Sequence, residues 1–313
     1  MAERLNVLIT GGAGYIGSVL TPTLLDAGHR VTVLDNLSFG QMSLLPVVHR
    51  QDFEFVRGDA RDARLIADLI PRFDVLIPLV ALVGAPACDK DPRLATELNL
   101  EAVASLLKVR SRQQRILFPN TNSGYGSQPE LECTEETPFA PISHYGRTKV
   151  EAEQMLMDAG GAISFRLATA FGASPRQRLD LLVNDFVRQA VQEGVLVLFE
   201  SGFRRNFIHV RDIAGVFTYG IEHFDTMGGR IFNVGLSDAN LSKRELAERI
   251  QAQVPSLKIL ESEIGRDPDQ RDYIVSNERI EATGWRPRYS LDDGIAELIQ
   301  VCRMLPASPW ANI

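Results

Sequence analysis

A chain of 313 residues with 45% hydrophobic and 23% charged residues has a soluble globular composition, long enough for one big domain or two unequal ones. Its net charge of −7 excludes the basic footprint that nucleic acid requires, but a small anionic ligand needs only a few local arginines. Three widely spaced cysteines suit reduced thiols rather than a disulfide framework, and five scattered histidines show no metal-ligand spacing.

LNVLIT (5–10) reads as a buried strand, after which a glycine cluster opens a helical pattern to about residue 27. RVTVLDN (30–36), FEFVRGD (53–59), DVLIPLV (74–80), RILFPN (115–120) and AISFRLA (162–168) read as further strands. Helical patterns at 61–70, 93–109 and 144–159 separate most of them. Near-continuous apolar strands alternating with helices predict a parallel sheet covered on both faces. That is a doubly wound α/β fold, whose ligand sits at the carboxyl ends of the strands. After about residue 172 come a helix at 179–193, the strand VLVLF, the segment RNFIHVRDIA, the strand RIFNVG, a helix at 242–253 and the strand KILE. The expected organisation is a cofactor-binding unit over 1–172 and a smaller C-terminal substrate lobe over 173–313, interleaved with the end of the sheet. The longest low-polarity stretch, Val75 to Cys88, is too short to span a bilayer, and LNVLIT runs into glycines without a secretory leader. The expected location is the cytoplasm, with no membrane partner.

GGAGYIG (11–17) lies between the first strand and its helix. Gly12, Gly14 and Gly17 fit G-x-G-x-x-G, while Gly11, Gly14 and Gly17 fit its G-x-x-G-x-x-G variant. Glycine permits the tight turn and the close approach of backbone to pyrophosphate, and the helix N-terminus presents free N–H groups to that anion. Asp35 ends the second strand at about the expected ~20-residue distance. A carboxylate there accepts from both adenosine ribose hydroxyls and repels a 2′-phosphate. No arginine follows in DNLSFG, so NAD is favoured over NADP. Asp59, ending the third strand, either receives the adenine amine or is a turn aspartate; the residues leave both open.

SHYGRTK (143–149) places Tyr145 and Lys149 one helical turn apart on one face. A cation beside a phenol favours the phenolate and lowers a pKa that starts near 10, which makes a general base for an alcohol. Upstream, FPNTNSGYG leaves the fifth strand with hydroxyl and amide side chains. Thr121 there can hold a substrate hydroxyl while Tyr145 takes its proton. Each motif alone also reads as a capped surface helix or a plain turn. The ordered set is far more specific.

Together, the glycine cluster, Asp35, Thr121, Tyr145 and Lys149 resemble the extended short-chain dehydrogenase/reductase family, the nucleotide-sugar epimerases and dehydratases, over residues 5–304. The resemblance implies a Rossmann domain using NAD, with Tyr145 as base, Lys149 on the nicotinamide ribose, and Thr121 as the catalytic hydroxyl. It implies cofactor contacts at Gly11, Gly14, Tyr15, Ile16, Gly17, Asp35, Asn36, Asp59, Ala60, Leu79 and Ala81, besides Tyr145 and Lys149. Substrate contacts are implied at Val83, Asn122, Ser123, Thr169 and Asn184, with Arg205 and Arg266 clasping the diphosphate of a nucleotide sugar. No metal is implied. Helices 93–109 and 144–159 resemble the pair through which the family forms a homodimer, with Leu98, Val103, Leu106, Val150 and Met155 as apolar surface.

Three departures sharpen the expectation. Asn122 and Ser123 stand where dehydratases carry Asp-Glu, so the acid for water elimination is missing. Thr169 replaces the family's usual asparagine, and PLVALVG replaces H-L-A-A after the fourth strand. PNTNSGYG, RLATAFGASPRQRLDLLVNDF and FRRNFIHVRD look closest to a bacterial subgroup that oxidises GDP-D-glycero-D-manno-heptose at carbon 4 for capsule polysaccharide. The expected activity is therefore NAD-dependent 4-oxidation of a nucleotide-linked sugar, with a second carbonyl substrate to reoxidise NADH. The alternatives are a UDP-hexose 4-epimerase, which needs the same groups, and a catalytically inactive NAD-binding regulator.

Overall fold

The computed structural model describes residues 3–262 and 271–305. Its strands in chain order are β1 (Asn6–Thr10), β2 (Arg30–Asp35), β3 (Phe53–Arg57), β4 (Val75–Pro78), β5 (Arg115–Thr121), β6 (Glu132–Cys133), β7 (Ala162–Leu167), β8 (Thr169–Phe171), β9 (Val195–Leu198), β10 (Arg204–His209), β11 (Ile231–Val234), β12 (Asn240–Ser242), β13 (Lys258–Glu261) and β14 (Ile274–Val275). Seven of them form one sheet in the order β11-β7-β5-β4-β1-β2-β3, every pair parallel. Both faces are covered, as the apolar strand sequences require. Leu20, Leu24, Phe165 and Phe217 pack on one side, and Ile66, Phe118, Ala152 and Leu156 on the other. Fully burying a side chain such as Phe118 contributes roughly 1.5–3 kcal/mol. Strand order reverses between β1 and β4, and a doubly wound sheet opens its ligand crevice at such a point.

Beyond β7 the described chain adds the small sheets β12-β10-β8 and β13-β9, pairs β14 with the earlier β6, and sends β11 back to the edge of the large sheet. A separate cluster of Val183, Phe186, Leu246, Ile295 and Leu298 packs between the helices Leu182–Gln192, Lys243–Gln253 and Leu291–Met304. RNFIHVRDIA resolves into β10 and the start of the helix Val210–Glu222, whose first turn is capped by His209.

Several expected boundaries move for local reasons. The helix expected at 61–70 is Ala63–Leu69, because the Asp62 carboxylate caps it by accepting from Arg64 N and Leu65 N. The helix expected over 93–109 is three pieces, Pro92–Thr96, a π-turn at Glu97–Glu101, and Ala102–Val109. Asn99 lies buried in that turn and explains it. Its amide accepts from Leu82 N at 2.8 Å and donates to Leu82 O and Thr148 Oγ1 at 3.1 Å, tying the loop after β4 to the helix His144–Ala159. Val103 and Leu106, expected on an outer patch, face the core instead; Leu98, Val150 and Met155 stay part-exposed.

Candidate functional site

Most of the described candidate residues leave the carboxyl ends of β1, β2, β3, β4 and β5, on the crevice side of the sheet. The glycine turn is built by exclusion. Gly11 has φ +76°, and a Cβ there would lie 2.8 Å from Val80 N. At Gly17 it would lie 2.4 Å from Gly12 Cα, and at Gly12 only 2.7 Å from Val33 Cγ2. At Gly14 a Cβ would meet a single neighbour, the backbone oxygen of Gly11, at a tight 3.2 Å. Gly12, absent from the expected contacts, is thus the residue on which helix and strand close.

Asp35 is the last residue of β2 and only 8% exposed. Burial raises its pKa, while hydrogen bonds donated by Leu37 N (2.8 Å) and Ala13 N (3.0 Å) oppose the rise. Each carboxylate oxygen accepts one of these bonds and keeps a second lone pair for a ligand hydroxyl. A glycine turn beside such a carboxylate fits the adenosine end of NAD. Asn36 next to it is exposed, its amide oxygen accepting from Ser38 N. Asp59 is engaged within its own turn: Arg61 pairs with it at 2.7 Å and holds its pKa down at about 2. Ala60 lines a small cavity with Thr10, Ile66 and Val80.

Tyr15 and Ile16 follow Gly14. Tyr15 is buried and donates to Gly172 O at 2.8 Å, and burial raises its pKa. Ser174 Oγ donates to Tyr15 O at 2.7 Å and lies 2.8 Å from Ser18 Oγ. Arg176 crosses the Phe39 ring at 4.8 Å. The segment 172–178 is thereby strapped across the glycine turn and the loop after β2.

Ser143 caps the helix His144–Ala159 by accepting from Gly146 N. One turn in stands Tyr145, whose phenol has Thr121, at the end of β5, as a neighbour acting to lower its pKa. The expected lowering of the Tyr145 pKa by Lys149 is not what the structure shows. Burial pushes the phenol up to about 12, helped by nearby Cys88, whereas Arg178, Arg271 and Thr121 act to lower it. Lys149 is itself buried and pushed down to about 7, against the opposing influence of Glu153. Beneath it runs a buried polar network. Glu153 pairs with Arg166 at 2.7 Å and accepts from Asn120 and Ser164, and Arg166 donates to the Tyr125 hydroxyl.

Leu79, Ala81 and Val83 lie part-exposed in the loop after β4, which Asn99 and the Cys88 thiol hold through Leu82. Thr169 opens β8, which pairs with β10. Asn184 is fully buried, and its amide is spent on the backbone of Gly172 and Arg178. Arg205 is only 2% exposed and stands over the Tyr273 ring. Arg266 lies outside the described residues. Asn122 is buried with neither amide atom partnered by protein, and Ser123 accepts from Arg271. Sequence reasoning missed Arg178, Arg271 and Cys88. Arg178 stood inside a quoted stretch, PRQRLD, without a motif to single it out.

A doubly wound parallel sheet, a glycine turn at its first strand, an acidic residue closing the second and a tyrosine one helical turn before a buried lysine define a dinucleotide-dependent enzyme class. The profile of the NAD dependent epimerase/dehydratase family matches residues 7–235. The chain belongs to that family, and its cofactor is NAD. It is 31% identical to a UDP-glucose 4-epimerase of Halalkalibacterium halodurans, over 90% of this chain and 91% of that one. It is 29% identical to a low-salt glycan biosynthesis protein of Haloferax volcanii, over 93% and 96%. Among solved structures, the Thermus thermophilus UDP-glucose 4-epimerase in complex with NAD superposes with a TM-score of 0.81 at 26% identity, over 95% of this chain and 99% of that one.

Proposed function

We propose that this enzyme oxidises carbon 4 of a nucleotide-linked sugar, with Tyr145 as base and Thr121 as its hydroxyl partner. The observation that carries the reading is the placing of Thr121, at the carboxyl end of β5, beside the Tyr145 phenol, whose pKa it acts to lower. NAD, when bound, supplies the hydride acceptor. Asp35 holds the adenosine ribose, the turn from Gly11 to Gly17 receives the pyrophosphate, and Lys149 meets the nicotinamide ribose. Arg205 and Arg266 clasp the sugar nucleotide's diphosphate, a role that suits a guanidinium's fork of donors. Thr121 and Tyr145 then take the 4-hydroxyl between them, and Tyr145 removes its proton.

The specific substrate we favour is a GDP-linked heptose, released as the 4-keto sugar for surface polysaccharide. PNTNSGYG and RLATAFGASPRQRLDLLVNDF support it, as do Asn122 and Ser123 where an eliminating enzyme needs an acid. A second carbonyl substrate then reoxidises the cofactor. UDP-hexose 4-epimerisation is the second reading, favoured by the likeness to UDP-glucose 4-epimerases. The protein works as a cytoplasmic homodimer; its free buried cysteines support the compartment, and part-exposed Leu98, Val150 and Met155 support the contact.

The deciding experiment mixes NAD-loaded enzyme with GDP-D-glycero-D-manno-heptose and, separately, with UDP-glucose. Nicotinamide absorbance is followed and products are identified by NMR. A 4-keto GDP-heptose is the expected product. A clean 4-epimer from UDP-glucose, with no oxidation of the GDP-sugar, replaces this reading with the epimerase.

A further inference from the structure

Desolvation makes the Tyr145 phenol hard to ionise, and the Lys149 ammonium stands over the Phe118 ring, 3.9 Å from its centre. Thr121 neighbours the Tyr145 phenol and acts to lower its pKa. Thr121 Oγ1 lies 2.9 Å from Ser123 Oγ and accepts from Ser123 N at 3.1 Å. Ser123 Oγ in turn accepts from Nη1 of Arg271, 148 positions away in the chain. A guanidinium has donors and no acceptor. Ser123 Oγ accepts from Arg271 and keeps its own proton to give to Thr121. Once Tyr145 is a phenolate it can only accept, so Thr121 then turns its proton onto it and accepts from both the Ser123 hydroxyl and the Ser123 N–H.

We propose that Ser123 and Arg271 are positioning residues that act through Thr121, turning its hydroxyl proton onto the Tyr145 oxygen and so stabilising the phenolate. The inference rests on Tyr145 being the base. A hydrogen bond donated to the charged form is one of the forces that lower a pKa. The other groups around the phenol do not replace it. Cys88, on the helix Ala85–Lys90, gives its proton to Leu82 O, and burial pushes its thiol up to about 11, so it stays neutral. Arg178, in the 172–181 segment, is paired with Asp180 at 2.5 Å. Lys149, one turn along the same helix, lies against Phe118, with Glu153 a further turn on.

The test is the ionisation of Tyr145 itself, in the NAD-loaded full chain carrying fluorinated tyrosine and read by fluorine NMR. The signal is assigned by its loss in Tyr145→Phe. Ser123→Ala should raise the midpoint by about one pH unit, a tenfold loss of phenolate at a given pH. Ser123→Cys, close in shape but a weak donor, guards against misfolding of the first variant and should also raise it. Ser123→Thr restores the hydroxyl and should titrate like the unaltered protein. Arg271→Gln should raise the midpoint too. A midpoint unmoved by Ser123→Ala and Ser123→Cys overturns the chain, as does one raised in Arg271→Gln alone, which leaves only charge. One unmoved by Arg271→Gln removes Arg271 from it. No sugar is added, so a failure here leaves the proposed substrate untouched, and a wrong substrate leaves this titration readable.

Discussion

Lys149 stands with its ammonium nitrogen 3.9 Å from the centre of the Phe118 ring, and the residue is only 3% exposed. The ring face and the nearby Glu153 favour the charged lysine, but burial outweighs them and brings its pKa down to about 7.

This has a consequence for stability against pH. In the unfolded chain the lysine keeps its proton up to its ordinary value of 10.5. Between about 7 and that value the unfolded state therefore binds more protons, and the Lys149 contribution to stability rises with pH. Lys149→Met, measured without cofactor, should gain most over the unaltered protein near neutral pH and lose that advantage towards pH 10.5. Parallel thermal melts across this window check it; a difference independent of pH contradicts the burial argument.

Tyr145→Phe keeps the ring and removes the acidic proton. It should bind NAD almost unchanged while turnover falls by ~10²–10⁴-fold, the usual range for a lost general base. Calorimetry and a single-turnover assay separate the two effects. Unaltered rates would assign the base to another group.

Asp35→Ala should narrow the preference for NAD over NADP, because the carboxylate both accepts from the ribose and repels a 2′-phosphate. The variant also loses the acceptor for Ala13 N and Leu37 N, so affinity for both cofactors should fall. Tighter binding of NADP than NAD by the unaltered chain would refute the assignment.

Arg166→Met leaves the Glu153 carboxylate buried without its cation, a change that costs about 3–5 kcal/mol. Replacing both residues with apolar ones of similar volume should cost much less. Urea unfolding of the single and double variants decides this, and equal costs would show that the pair is not coupled.

Val150→Arg places a charge on the part-exposed face of the catalytic helix. If that face joins two copies, light scattering at micromolar concentration should show a dimer for the unaltered chain and a monomer for the variant. A monomer in both cases removes the proposed contact.

The large sheet was legible because its strands are short apolar runs, and RILFPN or AISFRLA can only be buried. The glycine turn was legible because Gly11 and Gly17 leave no room for a Cβ. What escaped depends on partners far away in sequence. Asn99 breaks a helix by bonding to Leu82 and Thr148, and nothing in ELNLE announces it. Arg271 reaches Ser123 from the other half of the chain. The spacing of Tyr145 and Lys149 was legible, but the desolvation that governs both groups depends on the packing around them, which the spacing does not carry. The final helix, Leu291–Met304, went unassigned although Ser290 and Asp293 form its capping box.

The position of β11 bears on how the chain comes to exist at all. β7 is paired on one side by β5 and on the other by β11, and Phe232 packs on Phe165. A ribosome must therefore deliver residue 234 before the first half has both edges of β7 satisfied, so synthesis passes through a stage with an open apolar strand edge. A gene fragment stopping at residue 172 freezes that stage. It should be recovered as aggregate rather than as a free cofactor-binding unit, and one extended beyond β11 should be the first to stay in solution.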